Sequence, residues 1–268
     1  MLSARRVTAR RGGRTVLDGI DLILQPGQVT GILGANGVGK STLLAVLAGE
    51  LAATAGEVSL LGKPLSQWPV HELARCRALL PQNPSLQFDL PVATLIGMGA
   101  YPHAATGQGS VEEDRQVLAR VLALADVEAL HGRHYRELSG GEQQRVQFAR
   151  VLYQLLLARG PDEYRVLMLD EPTASLDPLH QLTLLRAVRT LAREDGIAAC
   201  VILHDVNLAA GHCDQLLLLA GGRAVSCGTP AEVLQPHTLR QVYGVEALVL
   251  PHPGRPDQPM VVFEAPGA

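Results

Sequence analysis

A chain of 268 residues is long enough to bury one large core, and 47% hydrophobic with 18% charged residues describes a folded domain and excludes a disordered one. The net charge of −3 and a pI near 6.3 exclude the broad basic footprint with which nucleic-acid binders meet phosphate backbones. No apolar run approaches the roughly 18 to 20 residues that span a bilayer, and the first residues lack an export-signal pattern, so any membrane role is expected to come through a partner.

Arg5, Arg6, Arg10, Arg11 and Arg14 cluster near the start but alternate with turn glycines, which reads as the solvated side of a strand pair. Val16, Ile20, Leu22 and Leu24 fall largely at even spacing, and Gly12-Gly13 and Pro26-Gly27 mark turns, so the first thirty residues are predicted as strands. A buried strand at Val29–Leu33, a glycine-rich loop and an apolar helix from Ser41 to Ala48, stopped by Gly49, then open an α/β layer. Residues 90 to 137 read mostly as helix, with Val117, Val121, Leu122, Leu124 and Ala125 at helical spacing. A strand at Val166–Leu169, a helix through Leu182, Leu185, Val188 and Leu191, and a strand at Cys200–Leu203 imply parallel pairing through crossover helices. From Pro251 the chain holds five prolines and few periodic apolar positions, which predicts an unstructured tail. Cys76, Cys200, Cys213 and Cys227 show neither a CxxC pair nor zinc-ligand spacing and are expected as buried, reduced thiols.

Three motifs carry chemistry. Gly34, Ala35, Asn36, Gly37, Val38, Gly39, Lys40 and Ser41, with Thr42 following, match GxxxxGK[ST] between a strand and a helix. Glycines there let successive N–H groups turn toward phosphate oxygens at a helix N-terminus, Lys40 adds a full positive charge, and the Ser41 hydroxyl can reach Mg²⁺. Val166-Leu-Met-Leu-Asp170-Glu171 is an apolar strand that delivers two carboxylates at its end. Successive side chains diverge there, so Asp170 can hold the Mg²⁺ shell while Glu171 faces the attacking water. Ser139, Gly140, Gly141 and Glu142 form a capping box whose glycines bare a helix N-terminus, a second anion site in one chain.

Together with Ser175-Leu176-Asp177 and His204, in this order, these motifs resemble the nucleotide-binding subunit of ABC transporters over about residues 1 to 245. The resemblance implies a P-loop NTPase core with an N-terminal antiparallel β subdomain and a helical subdomain at about 88–160, leaving 246–268 as a C-terminal extension. It further implies ATP and Mg²⁺ as ligands and a head-to-tail homodimer in which the Ser139 helix end of one chain completes the phosphate site of the other. By the same likeness Gln82 would contact the metal and water, Asp177 would relay across the dimer, and His204 would donate to the γ-phosphate.

One position departs from the family pattern: where an aromatic residue usually stacks on adenine, this chain has Arg10-Arg11-Gly12-Gly13-Arg14, and Arg11 is the best positional match, since a guanidinium can lie flat on a base. His131 and His134 lack a third ligand, and Trp68 reads as core packing.

Non-transport members of the family typically carry long coiled-coil inserts or two ATPase modules, and this sequence has one module and no sustained heptads. The stretch Val92 to His103 resembles importers of iron-siderophores, haem and cobalamin, and Arg145 to Gln154, the spacer Leu155 to Tyr164 and Pro178 to Gln181 are similar to the haem-import members. Siderophore and then cobalamin import are the runners-up. The expected partners are two copies of a transmembrane permease and an external substrate-binding protein, with no nucleic acid, at the cytoplasmic face of the cell membrane.

Overall fold

Alternating apolar residues followed by a Gly12-Gly13 turn form β1 (Leu2–Arg11) and β2 (Arg14–Leu24), and the run of buried residues after Pro26-Gly27 forms β3 (Val29–Gly34). The computed structural model describes residues 1–82, 86, 88–104, 110–160 and 163–264. After the phosphate loop come α1 (Lys40–Leu47), β4 (Ala55–Leu60), β5 (Lys63–Pro64), α2 (Val70–Cys76) and β6 (Arg77–Leu80). A helical stretch follows, with α3 (Val92–Gly97), α4 (Val111–Ala125) and α5 (Gly140–Leu156). The chain then alternates through β7 (Val166–Asp170), α6 (Pro178–Asp195), β8 (Ala198–Ile202), α7 (Val206–His212), β9 (Gln215–Ala220) and β10 (Arg223–Gly228). It ends with α8 (Pro230–Val233), α9 (Pro236–Tyr243), β11 (Ala247–His252) and β12 (Arg255–Phe263).

Cross-strand apolar pairs set the register of the first sheet: Leu2 faces Leu24, Ala4 faces Leu22, Val7 faces Ile20 and Ala9 faces Leu17. Alternation in β1 slips by one between Ala4 and Val7, where Arg6 adopts a left-handed φ of 46° in a bulge. The five N-terminal arginines lie exposed, as the sequence predicts. This antiparallel sheet has the order β2-β1-β4-β5.

The larger sheet runs β10-β9-β3-β8-β7-β6, parallel throughout except for β10. Its strands divide strictly by parity. Leu33, Leu167, Leu169, Ala199, Val201, Leu216 and Leu218 pack into one core with the helices α3 to α6, while Ile32, Val166, Met168, Cys200, Ile202, Leu217 and Leu219 pack into a second core with α1 and the antiparallel sheet. Covering both faces is what makes β8, and β7 up to Leu169, apolar without interruption. Trp68 packs at the margin of the second core, with Lys63 over its ring. Cys200 and Cys213 are buried and Cys76 half-buried, but Cys227 is exposed on β10, contrary to the expectation of buried thiols.

Two further expectations are corrected. Residues 126 to 139 form 3₁₀ turns at Glu128–Leu130 and Tyr135–Glu137 in place of continued helix, because Asp126 takes a left-handed φ of 52° and ends α4. The proline-rich tail is an ordered hairpin, β11 on β12, with Val249 opposite Val261 and Pro251 opposite Pro259. A two-stranded ribbon leaves half of its N–H groups without a strand partner, so proline costs no ladder bond at those positions. The hairpin is tied down by Asn207 of α7, which donates from Nδ2 to the Val261 carbonyl at 3.0 Å and accepts from the Val261 N–H at 2.7 Å.

Candidate functional site

The loop between β3 and α1 turns on glycines for two different reasons. At Gly34 (φ 153°) a Cβ would lie 2.5 Å from the Leu219 carbonyl, so the loop leaves the sheet in backbone contact with β9. Gly37 (φ 76°) has open space around it and is demanded by its dihedral alone. No side chain caps α1, and its first turn holds no acidic residue, so its positive end opens into a cleft of about 380 Å³. Arg11, Val16, Asn36, Gly37, Gly39, Lys40, Ser41, Thr42, Gln82, Glu171 and His204 line it.

Lys40 is 5% exposed, and its ammonium donates to the carbonyls of Gly34 (2.8 Å) and Ala35 (3.1 Å). Two of its three protons are thus engaged and one is available to a ligand. Burial lowers the Lys40 pKa, while the charges of Glu171 and Asp170 oppose that shift.

The ends of three neighbouring strands, β6, β7 and β8, supply the rest. Buried Asp170 at the end of β7 accepts from Ser41 Oγ at 3.2 Å; burial raises its pKa, and the Ser41 hydrogen bond opposes the shift. Glu171 lies one residue past the strand with a left-handed φ of 50°, a conformation that costs a non-glycine residue on the order of 1–2 kcal/mol. That twist, more than strand alternation, separates the two acids. Glu171 Oε1 sits 2.6 Å from His204 Nε2, and its Oε2 accepts from Gln82 Nε2 at 2.5 Å. Ser41 Oγ and Asp170 Oδ1, with Gln82 alongside, make a hard oxygen donor set of the kind Mg²⁺ takes together with phosphate oxygens.

The Ser139 helix end lies elsewhere. Ser139 caps α5, its N–H donates to Glu142 Oε2 at 2.7 Å, and the Glu142 N–H donates back to Ser139 Oγ at 3.4 Å. These bonds hold the Glu142 carboxyl below its ordinary range. Gly141 packs so closely on the loop before α6 that a Cβ would come within 3.2 Å of the Ser175 carbonyl. Asp177 caps α6, accepting from the His180 N–H at 3.0 Å, and the His180 ring lies 2.8 Å from the same carboxylate. Ser139, Gly140, Gly141, Glu142 and Asp177 therefore form a surface apart from the cleft lining.

Residues 17–174 match the protein family described as ABC transporter, more than half of the chain. The chain belongs to the ABC transporter family. It is 53% identical over 252 residues to the hemin import ATP-binding protein HmuV of Bordetella avium (strain 197N), covering 94% of this chain and 95% of that one. Among solved structures it is similar to cbiO1 of Clostridium perfringens, part of the ABC transporter complex cbiONQ, with a TM-score of 0.74 and 29% identity over 90% of this chain and 92% of that one. The ATP-binding cassette MJ0796, solved as a dimer in a post-hydrolysis state bound to ADP and Pi, aligns with a TM-score of 0.71 and 26% identity, covering 86% of this chain and 99% of that one. The fold is that of the ABC ATPases.

In this ABC transporter chain, Arg11, Lys40, Ser41, Gln82, Glu171 and His204 line one cleft, and Asp170 lies beside Ser41. Ala35 contributes only its carbonyl, and the Val38 side chain packs beside Gly34 instead of lining the cleft. Sequence reasoning missed Val16, which lines the cleft although its even spacing in β2 marks it only as a core position. His134, weighed as a metal ligand, faces Asp89 at 3.2 Å.

Proposed function

We propose that the chain is the ATP-hydrolysing subunit of an importer that carries haem across the cytoplasmic membrane. The observation that supports it best is the meeting, in one cleft, of the Lys40 ammonium, the Ser41–Asp170 oxygen pair and the Gln82–Glu171–His204 cluster. Phosphoryl transfer asks for this combination: fixed positive charge for the phosphates, hard oxygens for a divalent cation, and a carboxylate where water must be deprotonated.

In this reading the α1 N-terminus, Lys40 and the loop N–H groups hold the triphosphate, with Arg11 at the base. Ser41, Gln82 and Asp170 are the residues that would hold Mg²⁺, which would supply positive charge to offset that of the phosphates. Glu171 takes a proton from water as the oxygen attacks the γ-phosphorus, and the bond to the ADP oxygen breaks. His204 Nε2, now against Glu171, turns to a γ-phosphate oxygen, which frees Glu171 Oε1 for the water. Ser139, Gly140, Gly141 and Glu142 reach the γ-phosphate of a partner copy, with Asp177 at that interface, so two chains close over two ATP molecules. The reading places the pair peripherally at the cytoplasmic face, working with two copies of a permease and an external binding protein. Identity over nearly the full chain to a hemin import subunit supports haem as cargo.

The test is ATP-dependent uptake in vesicles holding this subunit with the permease and binding protein encoded beside it, comparing haem with a ferric siderophore and cobalamin. Haem uptake that Lys40→Ala abolishes is the expected result. Uptake of another chelate with the same Lys40 dependence refutes haem and keeps the ATPase; uptake indifferent to Lys40→Ala refutes both.

A further inference from the structure

The C-terminal hairpin packs on α7, α8 and α9, the helices that follow His204 and β10. On one side Asn207 of α7 clasps the backbone of Val261 through both atoms of its amide, at 3.0 and 2.7 Å. Asn207 lies three residues after His204, and the intervening Asp205 fixes the turn by accepting from the N–H groups of Asn207 (2.7 Å) and Leu208 (2.9 Å). One short capped turn therefore links the hairpin clasp to His204.

On the other side Phe263, in β12, stacks edge-on against Tyr243 at the end of α9, with ring centroids 5.5 Å apart and planes at 72°. The Tyr243 hydroxyl is buried and has no full hydrogen bond among the described residues. The backbone N–H that acts on this hydroxyl is that of Gly34, the first residue of the phosphate loop, although the two do not form a hydrogen bond here. Gly34 is also where the loop presses on β9, against which α9 packs. A buried phenol left incompletely paired at the root of a ligand loop costs free energy, and a small shift of that loop would complete its bond.

We propose that the hairpin braces the nucleotide cleft through two positioning residues, Tyr243 acting on the phosphate loop and Asn207 on His204. The inference rests on the cleft being the ATP site. Neither residue touches nucleotide; each sets where a residue that does is held. Because the two arms reach different groups, they should affect different constants. Tyr243 belongs to ground-state binding of the phosphates, and Asn207 to the placement of a donor that matters most as charge builds on the γ-phosphate.

The experiment uses the full chain with Tyr243→Phe and Asn207→Ala, titrated with methylanthraniloyl-ATP and assayed for phosphate release at saturating ATP and Mg²⁺. Tyr243→Phe keeps the ring on Phe263 and removes one oxygen; one hydrogen bond of about 1 kcal/mol corresponds to roughly five-fold weaker binding, with kcat within two-fold of the parent. Asn207→Ala is expected to lower kcat roughly five- to ten-fold and leave binding within two-fold. Melting temperatures without nucleotide are measured alongside. Variants that lower the melting temperature alone, or that change both constants by the same factor, overturn the proposal. Should Asn207→Ala fail to fold, Tyr243→Phe still decides, since unchanged binding there refutes the loop arm. Lys40→Ala serves as the control: if it leaves binding intact, the ATP-site assignment fails, whereas lost binding in Lys40→Ala with normal Tyr243→Phe refutes only the brace.

Discussion

Replacing Glu171 by glutamine tests the chemistry with little disturbance of the fold. Glutamine has the same shape, and the left-handed backbone at φ 50° is no harder for it to adopt than for glutamate. Of the two contacts now made, to His204 Nε2 and to Gln82 Nε2, an amide oxygen keeps one as acceptor, and rotation of the Gln82 amide restores the other. The structural cost is then about one neutral hydrogen bond, on the order of 1 kcal/mol or less. Loss of the proton acceptor is much larger: general-base catalysis contributes about 10²- to 10⁴-fold, or about 3 to 5.5 kcal/mol in the barrier. ATP binding should be equal or tighter, since a negative charge beside the phosphates is gone. Removing that charge also lowers the Lys40 pKa further, because the Glu171 carboxylate is the largest influence supporting its ammonium, with Asp170 left as the other. Single-turnover phosphate release, with gel filtration for an ATP-trapped dimer, measures both effects. Hydrolysis within ten-fold of the parent rate would refute Glu171 as the base, whatever its effect on binding.

Gly34→Ala places a Cβ 2.5 Å from the Leu219 carbonyl at a φ of 153°, so we expect at least ten-fold weaker ATP binding and a loss of about 1 to 3 kcal/mol in stability; normal binding would show that the loop root yields freely. Arg165 is 1% exposed and donates to the carbonyls of Leu155, Leu157 and Ala158 and to Glu163 Oε2. Arg165→Met leaves those acceptors unpaired at a cost of about 3 to 5 kcal/mol, and calorimetry should show a melting point lower by roughly 6 to 20 °C. A change under 2 °C contradicts that accounting. His212 is pushed down to about 4 by burial and by the charges of Arg189, Arg255 and Arg186. The unfolded chain therefore takes up a proton on His212 near pH 6.5 while the folded chain does not, so stability falls as pH drops from about 6.5 toward 4. His212→Gln should flatten that limb of a denaturation series; an unchanged slope assigns it to other groups.

The phosphate loop was legible because its glycines answer to local geometry and its flanking strand and helix have clear periods. Asp170 and Glu171 were equally plain as acids at a strand end, but their divergence depends on a left-handed residue that no propensity announces. Val16, Asn207 and Tyr243 were not legible at all, since each acquires its role from residues far along the chain: Asn207 through Val261, Tyr243 through Phe263 and the region of Gly34. The hairpin was concealed by its prolines, which count against strands in general and yet sit harmlessly in a ribbon with two open edges.

Lys40, His204, Glu171 and Gln82 follow β3, β8, β7 and β6, four adjacent strands whose order in space is not their order in sequence. During synthesis, then, the phosphate loop emerges early, but β8, which pairs directly with β3, ends at residue 202. At about 5 to 20 residues per second, roughly ten to thirty seconds pass in which the loop exists without its neighbours. Non-local parallel pairing of this kind is slow to nucleate, and the unpaired β3, every residue of which is buried in the folded chain, is meanwhile open to wrong partners. ATP present during refolding should therefore raise the final yield more than the initial rate, since there is no site for it to bind until the last of these strands is in place.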